Sequence, residues 1–528
     1  MTLVQFRSQS RSERQRPNRR SFLLATGSLA AAAVWSSRAL GVVKKNVKFS
    51  SNPFSLSVAS GDPSADGFVI WTRLAPDPVV GGGMPHEDVE VSWQVADDEQ
   101  MSKVVAKGTT VSTADWAHTV HVEVEGLRPD RWYFYQFQVG GEVSPIGRAR
   151  TMPAADQMAE RLRLGVASCS HYEQGYFTAY KHMAEEGLDL VTHLGDYIYE
   201  YAAKDNLPRR HVGAEIQSLD DYRNRHALYK TDRDLQAAHL ACPWFVTWDD
   251  HEFDNNCAGE ISEEAGVPAE AFLARRANAY RAYYEHMPLR RSSLPNGPMM
   301  QLYRRLSFGR LAEFNVLDTR QYRTDQPCGD RNKPQCEDAL SEKGTLLGDQ
   351  QEAWLKDGLS KSSATWNVLA QQVMMARVDR VPGEVVAVSM DQWPGYEANR
   401  RRLLRHFTDH KISNPVVLAG DIHSNWANDL IADFDDYDSK VVASEFVTTS
   451  VSSGGDGKAV LPTTEGVLRE NPFVKLYNSQ RGYLRCEITP KLWRTDYRVV
   501  AKVSKPGAPR TDLASFVVEA GEAGVKKA

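Results

Sequence analysis

The stretch Gly195-Asp196-Tyr197-Ile198-Tyr199-Glu200-Tyr201 follows a largely apolar run, residues 188–194, that predicts a buried strand. A Gly-Asp pair directly after such a strand places a carboxylate at its carboxyl end, where open α/β folds build their sites. Three further apolar runs end in comparable groups: 162–167 before Ser168-Cys169-Ser170-His171, 244–248 before Asp249-Asp250-His251-Glu252, and 415–419 before Gly420-Asp421-Ile422-His423. Four strands that each deliver Asp, His or Cys at their ends predict a metal site.

Asp196 is the central candidate ligand, although a carboxylate at a strand end can also cap a turn. Asp250, Asp421 and His423 supply carboxylate and imidazole groups from two further strand ends. This mixture of donors suits divalent or ferric ions. A carboxylate that bridges two ions allows both the attacking and the leaving oxygen of an in-line displacement to be stabilised. The residues alone therefore favour metal-assisted hydrolysis of phosphoesters.

Composition bounds the class of protein. The chain has 528 residues, enough for two or three domains, and its 63 basic and 68 acidic residues leave a net charge of −5. Specific nucleic-acid binding needs a basic face, so it is not expected. Hydrophobic residues make up 42% and charged residues 25%, which is typical of a soluble globular protein.

The six cysteines are too few to scaffold the fold. Cys328 and Cys336 enclose a polar loop and predict a disulfide if the compartment is oxidising. Cys242 and Cys257 are a second possible pair. Cys169 is either a metal ligand or a small buried apolar residue.

Residues 1–45 have the features of an export signal. Arg19-Arg20-Ser21-Phe22 precedes an alanine-rich apolar run, residues 23–34, and small residues follow near Ala39. A basic region, a modest apolar region and small residues before a cleavage point are typical of secretory signals, and paired arginines are typical of the twin-arginine type. The apolar run is too short to span a bilayer. We therefore predict export by the twin-arginine machinery to the periplasm or the extracellular space.

The mature chain divides into two patterns. Residues 50–152 contain short alternating stretches separated by Gly- and Pro-containing turns, which predicts a small immunoglobulin- or fibronectin-like β-sandwich. From residue 160 to about 520, strands alternate with helical stretches such as 271–286 and 349–359. This alternation predicts a layered α/β domain.

Five separated motifs occur in one order along the chain: Cys169-Ser170-His171, Gly195-Asp196-x-x-Tyr199, Trp248-Asp249-Asp250-His251-Glu252-x-x-Asn255-Asn256, Leu317-Asp318-Thr319-Arg320-x-Tyr322-Arg323 and Gly420-Asp421-Ile422-His423. Together they resemble the PhoD-type alkaline phosphatases and phosphodiesterases, which belong to the metallophosphoesterase superfamily and are purple-acid-phosphatase-like. A group of secreted bacterial phospholipase D enzymes shares this family. The resemblance implies an α+β, layered core of two packed sheets flanked by helices, preceded by the β-sandwich domain.

Carried over position by position, the resemblance implies that Asp196 bridges the metal ions and that Cys169, Tyr199 and His423 hold a ferric ion. Asp250 and Asp421 stand where the commoner superfamily pattern has Asn and His. Carboxylates in place of neutral ligands favour a hard, oxygen-seeking ion such as calcium. Fe3+ and Ca2+ are therefore the expected cofactors, with Zn2+ or Mn2+ as alternatives.

The resemblance also assigns catalytic roles. His251 would stabilise the transition state or protonate the leaving oxygen, and the attacking group would be hydroxide generated on a metal ion. The residues themselves, rather than the resemblance, make Arg320 a candidate to grip phosphate bidentately, because it follows a buried strand. An ion pair between Arg320 and Asp318 with a purely structural role is the alternative.

We predict a secreted, monomeric, metal-dependent phosphohydrolase that releases phosphate from phosphomonoesters and phosphodiesters, with phospholipids and nucleotides among the candidate substrates. A phospholipase D acting on lipid phosphodiesters is the alternative within the same chemistry. A non-catalytic surface-binding protein is the alternative from another class. Such a protein would have no physical reason to carry all of Asp196, Asp250, His251, Asp421 and His423.

Overall fold

A computed structural model describes residues 43–45 and 47–528. The predicted export signal, residues 1–45, lies outside the described residues apart from its last three, and it stays a prediction. None of the helices in the described part of the chain is long and apolar enough to cross a membrane.

The described residues form strands and helices that are numbered here in chain order. The strands are β1 (Val58–Ser64), β2 (Gly67–Arg73), β3 (Val89–Ala96), β4 (Val104–Ser112), β5 (Thr119–Val124), β6 (Trp132–Val139), β7 (Glu142–Val143), β8 (Gly147–Arg150), β9 (Leu162–Ala167), β10 (Leu190–His193), β11 (Trp244–Val246), β12 (Arg304–Phe308), β13 (Ala312–Val316), β14 (Asn332–Lys333), β15 (Trp366–Ala370), β16 (Val388–Ser389), β17 (Pro415–Ala419), β18 (Asn425–Ile431), β19 (Val441–Val447), β20 (Val474–Asn478), β21 (Gly482–Ile488), β22 (Leu492–Val500), β23 (Arg510–Glu519) and β24 (Lys526–Lys527). The helices are α1 (Thr178–Ala184), α2 (Leu219–Lys230), α3 (Arg233–Ala241), α4 (Ala269–His286), α5 (Gly348–Lys361), α6 (Glu397–Asp409) and α7 (Thr464–Glu470).

Two large sheets form the centre of the molecule. A ten-stranded sheet has the order β24-β23-β22-β21-β9-β10-β11-β1-β2-β5, and a seven-stranded sheet has the order β12-β13-β15-β17-β19-β18-β20. Their facing side chains share one apolar core, in which the rings of Phe245 and Phe314 lie 5.1 Å apart. Residues of α1 to α4 pack in a core beside the first sheet, and residues of α5, α6 and α7 pack beside the second. This is the layered core that the sequence predicts.

The strands that lead to the motifs are central and parallel. β9, β10 and β11 pair in parallel, as do β13, β15, β17 and β19. A strand that is covered on both faces favours a continuous apolar run, which is the pattern in the sequence. Because parallel strands end at the same edge, their following loops meet there, and the backbone amide of Cys169 donates to the carbonyl of Gly195 over 3.1 Å.

The N-terminal segment is continuous with this core. β3, β4, β6, β7 and β8 form a separate sheet, whereas β1, β2 and β5 extend the ten-stranded sheet, with β1 parallel to β11. The two layers pack through an apolar cluster that includes Phe68 and Tyr133, with ring centroids 6.1 Å apart. One layer of the predicted sandwich is thus also part of the large sheet. The boundaries at residues 152 and 160 stay a prediction.

Of the two possible cysteine pairs, one is formed. Cys328 and Cys336 form a disulfide with Cα atoms 5.9 Å apart. Cys242 and Cys257 are both free and buried, so the second possible pair is not formed. Cys169 is free and buried at the edge where the motif loops meet.

Candidate metal centre

The motif residues sit on sharply turned backbone. Cys169, Asp196, Asp421 and His423 all have positive φ angles, between 53° and 67°. This left-handed region costs a non-glycine residue on the order of 1–3 kcal/mol and is concentrated at functional sites. The turns bend the chain immediately after each buried strand, so that four side chains point into one space.

Gly195 is needed at the turn before Asp196. Its φ is 109°, and a Cβ added there would lie 2.4 Å from Cβ of Asp249 and 2.5 Å from its backbone nitrogen. Contacts this short do not occur between real side-chain and backbone atoms. The missing side chain therefore lets the second and third motifs touch.

We expect Gly195→Ala to lower the free energy of unfolding by more than about 2 kcal/mol, because the new methyl group overlaps Asp249 on a backbone that already disfavours it. Gly213→Ala is the matched control, since Gly213 has a φ of 83° but no atom within 4 Å of the added Cβ. That variant should lose only about 1–2 kcal/mol from backbone strain. Denaturant unfolding measures both, and equal losses would mean that the overlap at Gly195 has no effect.

The first group of candidate ligands contains a thiol, a carboxylate and an imidazole. Ligand atoms of Cys169, Asp196 and His423 all lie within 4.8 Å of one another. The hydroxyl of Tyr199 donates to Oδ2 of Asp196 over 2.7 Å and lies 3.1 Å from Nε2 of His423. The structure thus brings together all four residues predicted to hold a ferric ion.

Two further groups continue from the first. Ligand atoms of Asp196, Asp250 and His251 lie within 4.8 Å of one another, and so do those of Asp249, Asp250 and Asp421. Asp196 belongs to the thiol-containing group and to the next group, and Asp250 links that group to the last. All six predicted metal ligands therefore belong to one continuous cluster, with Asp196 at its junction.

The charges of the cluster suit a bound cation. Oδ1 of Asp196, Oδ1 of Asp250 and Oδ2 of Asp249 are buried and lack a hydrogen-bond partner within the described residues. Burial raises the pKa of Asp196 well above its ordinary value. Burial likewise raises the pKa of the Cys169 thiol and of the Tyr199 phenol. Buried polar groups without partners are costly, and a metal ion both pairs with such groups and reverses these pKa shifts.

Arg320 partly neutralises the carboxylates. Its guanidinium is buried, with Nε 2.5 Å from Oδ1 of Asp249 and Nη1 2.9 Å from Oδ1 of Asp391. Nη2 lies 3.6 Å from oxygens of both Asp250 and Asp421 and has no hydrogen-bond partner among the described residues. The predicted alternative, an ion pair with Asp318, is not formed, because Asp318 accepts from the backbone amides of residues 320 and 321 instead.

His251 adds a buried imidazole to the cluster. Its Nδ1 is 2.8 Å from Oε2 of Glu200, and its ring packs on Tyr199 with centroids 4.1 Å apart. Burial lowers the pKa of His251, but Glu200, Asp196 and Asp250 outweigh burial and raise it well above its ordinary value. These carboxylates therefore favour the protonated form of the ring in the metal-free protein.

Sequence reasoning missed several residues that complete the centre. Glu252 is buried and accepts from the backbone amides of Asp196, Tyr197 and Asp249, over 2.9, 2.5 and 2.7 Å. It joins the second motif to the third. Its position directly after His251 is the sequence feature that could have identified it. Ser453 donates to the hydroxyl of Tyr199 over 2.8 Å. Asp391 lies in an irregular loop, where no local pattern marks it.

A second buried group, His171, Glu173 and His211, lies behind Tyr199. The rings of His171 and Tyr199 are 4.4 Å apart. Both nitrogens of His211 already have partners, the carbonyl of Tyr201 and the hydroxyl of Tyr229, each at 3.1 Å. This group therefore belongs to the packed interior that borders the site.

We expect the ionisation of Asp421 and Glu252 to destabilise the metal-free protein as the pH rises from about 4 to about 7. Burial raises the pKa of Asp421 to about 7, with Arg320 opposing the shift, and burial raises the pKa of Glu252 to about 7. An acid with a higher pKa in the folded state binds more protons when folded. The free energy of unfolding then falls across this window, by about 1.4 kcal/mol per pH unit for each such group.

Thermal unfolding of chelator-treated wild type and Asp421→Asn across this pH range checks that expectation. The difference between the two proteins separates the carboxylate from buried histidines such as His193 and His211, whose lowered pKa values make the protein more stable as the pH rises. Metal-loaded protein is the control, because a bound cation favours ionised ligands and reverses the trend. A stabilisation by Asp421→Asn that does not grow from pH 4 to pH 7 would contradict the assigned burial of this carboxylate.

Comparison with known proteins identifies the family of this chain. The family model described as PhoD-like phosphatase matches residues 164–497, and that of the PhoD-like phosphatase N-terminal domain matches residues 41–153. Alkaline phosphatase D of Bacillus subtilis (strain 168) is 50% identical over 519 residues, which cover 97% of this chain and 89% of the relative. A solved structure of PhoD superposes with a TM-score of 0.89 at 51% identity, covering 91% of this chain and 93% of that one.

The family models together span most of the described chain. The motifs that carry the predicted resemblance lie at residues 169 to 423, inside the longer matched segment. This chain is a phosphohydrolase and belongs to the PhoD-like phosphatase family.

Proposed function

We propose that this chain is an exported phosphomonoesterase and phosphodiesterase whose centre holds ferric iron and calcium. The observation that carries the proposal is the junction at Asp196. On one side of it lie a thiol, a phenol and an imidazole, and on the other lie only carboxylates and His251. Thiolate, phenolate and imidazole suit an oxidised iron, whereas the carboxylates on the other side suit calcium.

Each side chain then has a role. Cys169, Tyr199 and His423 would hold iron, Asp250 and Asp421 would hold calcium, and Asp196 would contact both. Bound ions of this kind polarise phosphoryl oxygens and lower the pKa of water towards neutrality. Zn2+ and Mn2+ are the alternative ions.

The remaining groups act on the ester. Arg320 has two of its nitrogens engaged by Asp249 and Asp391, which leaves Nη2 as its free donor towards a phosphate oxygen. This supports a single contact rather than the predicted bidentate grip. His251 would donate a proton to the leaving oxygen.

Lipid phosphodiesters are a second candidate substrate class. Val381, Val385 and Val386 are 49%, 60% and 52% exposed in one loop that leads along the chain to Asp391. Exposed apolar side chains on a loop that leads to the site favour an amphiphilic substrate. Export by the twin-arginine pathway and a monomeric state, both inferred from the sequence, complete the proposal.

The test is elemental analysis of the purified mature protein, paired with hydrolysis of a chromogenic phosphomonoester, a chromogenic phosphodiester and phosphatidylcholine micelles. Iron with calcium and turnover of the chromogenic esters is the expected result. Two zinc ions with turnover would keep the chemistry and overturn the metal assignment. Turnover of the micelles alone would favour the lipid class, and no metal with no turnover after reconstitution would overturn the proposal.

A further inference from the structure

We propose that Glu200 is a positioning residue for phosphoester hydrolysis, because it fixes the orientation of the His251 ring and the nitrogen that serves the substrate. The inference rests on the role of His251 in the proposed function. Glu200 lies in the loop between Asp196 and Tyr201, and neither the predicted ligand set nor the predicted catalytic set includes it.

Both carboxylate oxygens of Glu200 have hydrogen-bond partners. Oε2 lies 2.8 Å from Nδ1 of His251, and Oε1 accepts from the backbone amide of Asn255 over 3.1 Å. The side chain of Glu200 is 2% exposed and that of His251 is 10% exposed. The two contacts tie the loop after β10 to the turn that carries His251 and Asn255.

The surroundings prevent the carboxylate from moving away. Arg225 is buried, and its Nη1 donates to the carbonyls of Tyr199 and Tyr201, one on either side of Glu200. The rings of these two tyrosines also pack on the His251 ring, with centroids 4.1 and 5.2 Å from it. The ring is thus confined between aromatic neighbours, and rotation by half a turn is its main remaining freedom.

The chemistry of Glu200 decides that orientation. A carboxylate can only accept hydrogen bonds, so Nδ1 of His251 must carry the proton that it donates to Oε2. Nε2 on the opposite edge is then the nitrogen that can exchange a proton with a substrate oxygen. The hydrogen-bond partner of one ring nitrogen sets the state of the other, as a buried aspartate does for the histidine of serine proteases.

Glu200→Gln separates this role from a purely structural one. The amide of Asn255 still needs an acceptor, so the glutamine oxygen turns towards it and the NH2 group faces Nδ1 of His251. Nδ1 must then accept a hydrogen bond, which it can do only in a neutral ring whose single proton is on Nε2. The contact between the loops survives. The neutral ring is a far weaker acid than the protonated ring, so Nε2 no longer supplies a proton to the leaving oxygen.

The measurement is kcat for two esters that differ in leaving group, an alkyl phosphoester with a poor one and a dinitrophenyl phosphoester with a good one. Proton donation matters only to the poor leaving group. We expect Glu200→Gln to lower kcat for the alkyl ester by about 10²–10⁴-fold and that for the dinitrophenyl ester by less than about tenfold, with metal content unchanged. A purely structural role would lower both rates equally, and that result would overturn the proposal.

Two further variants keep the outcome decisive if Glu200→Gln disturbs folding. In a His251→Ala background, Glu200→Gln should cause no further loss for the alkyl ester, because its effect passes through that ring. An undiminished loss in that background would overturn the proposal. Glu445→Gln is the matched control, since Glu445 is a buried carboxylate that accepts from the backbone amides of Met375 and Ala376. It should leave both rates unchanged.

Failure of this inference differs from failure of the proposed function. If His251→Ala shows a leaving-group effect and Glu200→Gln does not, only the role of Glu200 is overturned. His251→Ala without any leaving-group effect removes His251 as proton donor and the role of Glu200 with it, whereas the proposed metals and the hydrolysis of phosphoesters would still stand.

Discussion

Asp196→Asn should empty the metal centre and end phosphoester hydrolysis in one step. Asp196 is the one carboxylate that belongs both to the group with Cys169 and His423 and to the group with Asp250 and His251. Its Oδ2 accepts from Tyr199, while its Oδ1 has no partner among the described residues. Asparagine keeps the shape of the side chain but removes the charge that two cations would share.

The expected loss is large. Substituting a residue that merely supports a metal ligand costs about 10–100-fold in metal affinity or activity. Replacing a ligand that would contact both ions should therefore lower kcat/KM by more than about a thousandfold. Elemental analysis and a chromogenic ester measure the two losses on the same preparation, and metal content near that of the wild type would contradict the bridging role.

The metal-free proteins provide a second readout with the opposite sign. Burial raises the pKa of Asp196, so its carboxylate destabilises the metal-free fold at neutral pH. After chelation, Asp196→Asn should unfold at a higher temperature than the wild type. Asp429→Asn is the matched control, because Asp429 is a buried carboxylate that pairs with Lys475 and belongs to none of the three ligand groups at the centre. It should bind metal and turn over as the wild type does.

His251→Ala should leave the metals in place and lower kcat by about 10²–10⁴-fold, the usual contribution of a positioned general acid. The ring is held by Glu200 and by its packing on Tyr199, and the predicted ligand set remains complete without it. The expected signature is therefore normal metal content with slow turnover, whereas Asp196→Asn loses both.

His410→Ala is the control for this substitution. His410 lies on the surface after α6, where it stacks on His406. Its removal should change neither kcat nor metal content. Loss of bound metal from His251→Ala would instead make His251 a ligand, and full activity would remove it from the reaction.

The sequence indicated the centre well because its signals are local. An apolar run followed by Gly-Asp or Asp-Asp-His-Glu is visible within ten residues, and the parallel arrangement of such strands brings their ends together. The helix predicted over 271–286 is α4, Ala269–His286, for the same reason. Cys169, Asp196, Asp250 and Asp421 could therefore be placed together before any coordinates were known.

What the sequence did not indicate depends on partners that are distant along the chain. Asp249 and Asp391 are both bonded to Arg320, 71 residues away from each. The local pattern instead suggested Asp318, the nearest carboxylate. The extension of the large sheet by β1, β2 and β5 was also missed, since an alternating strand does not reveal which sheet it joins.

The order of the ten-stranded sheet also constrains how the chain can be synthesised and folded. β9, which leads to Cys169, is hydrogen-bonded on one side to β10 and on the other to β21, Gly482–Ile488. One side of this central strand remains unpaired until more than nine-tenths of the chain has left the ribosome. Contacts of such long sequence separation form slowly. The catalytic edge is therefore assembled after translation is nearly complete, and a truncated chain that ends before residue 482 would expose an unpaired central strand rather than form a smaller enzyme.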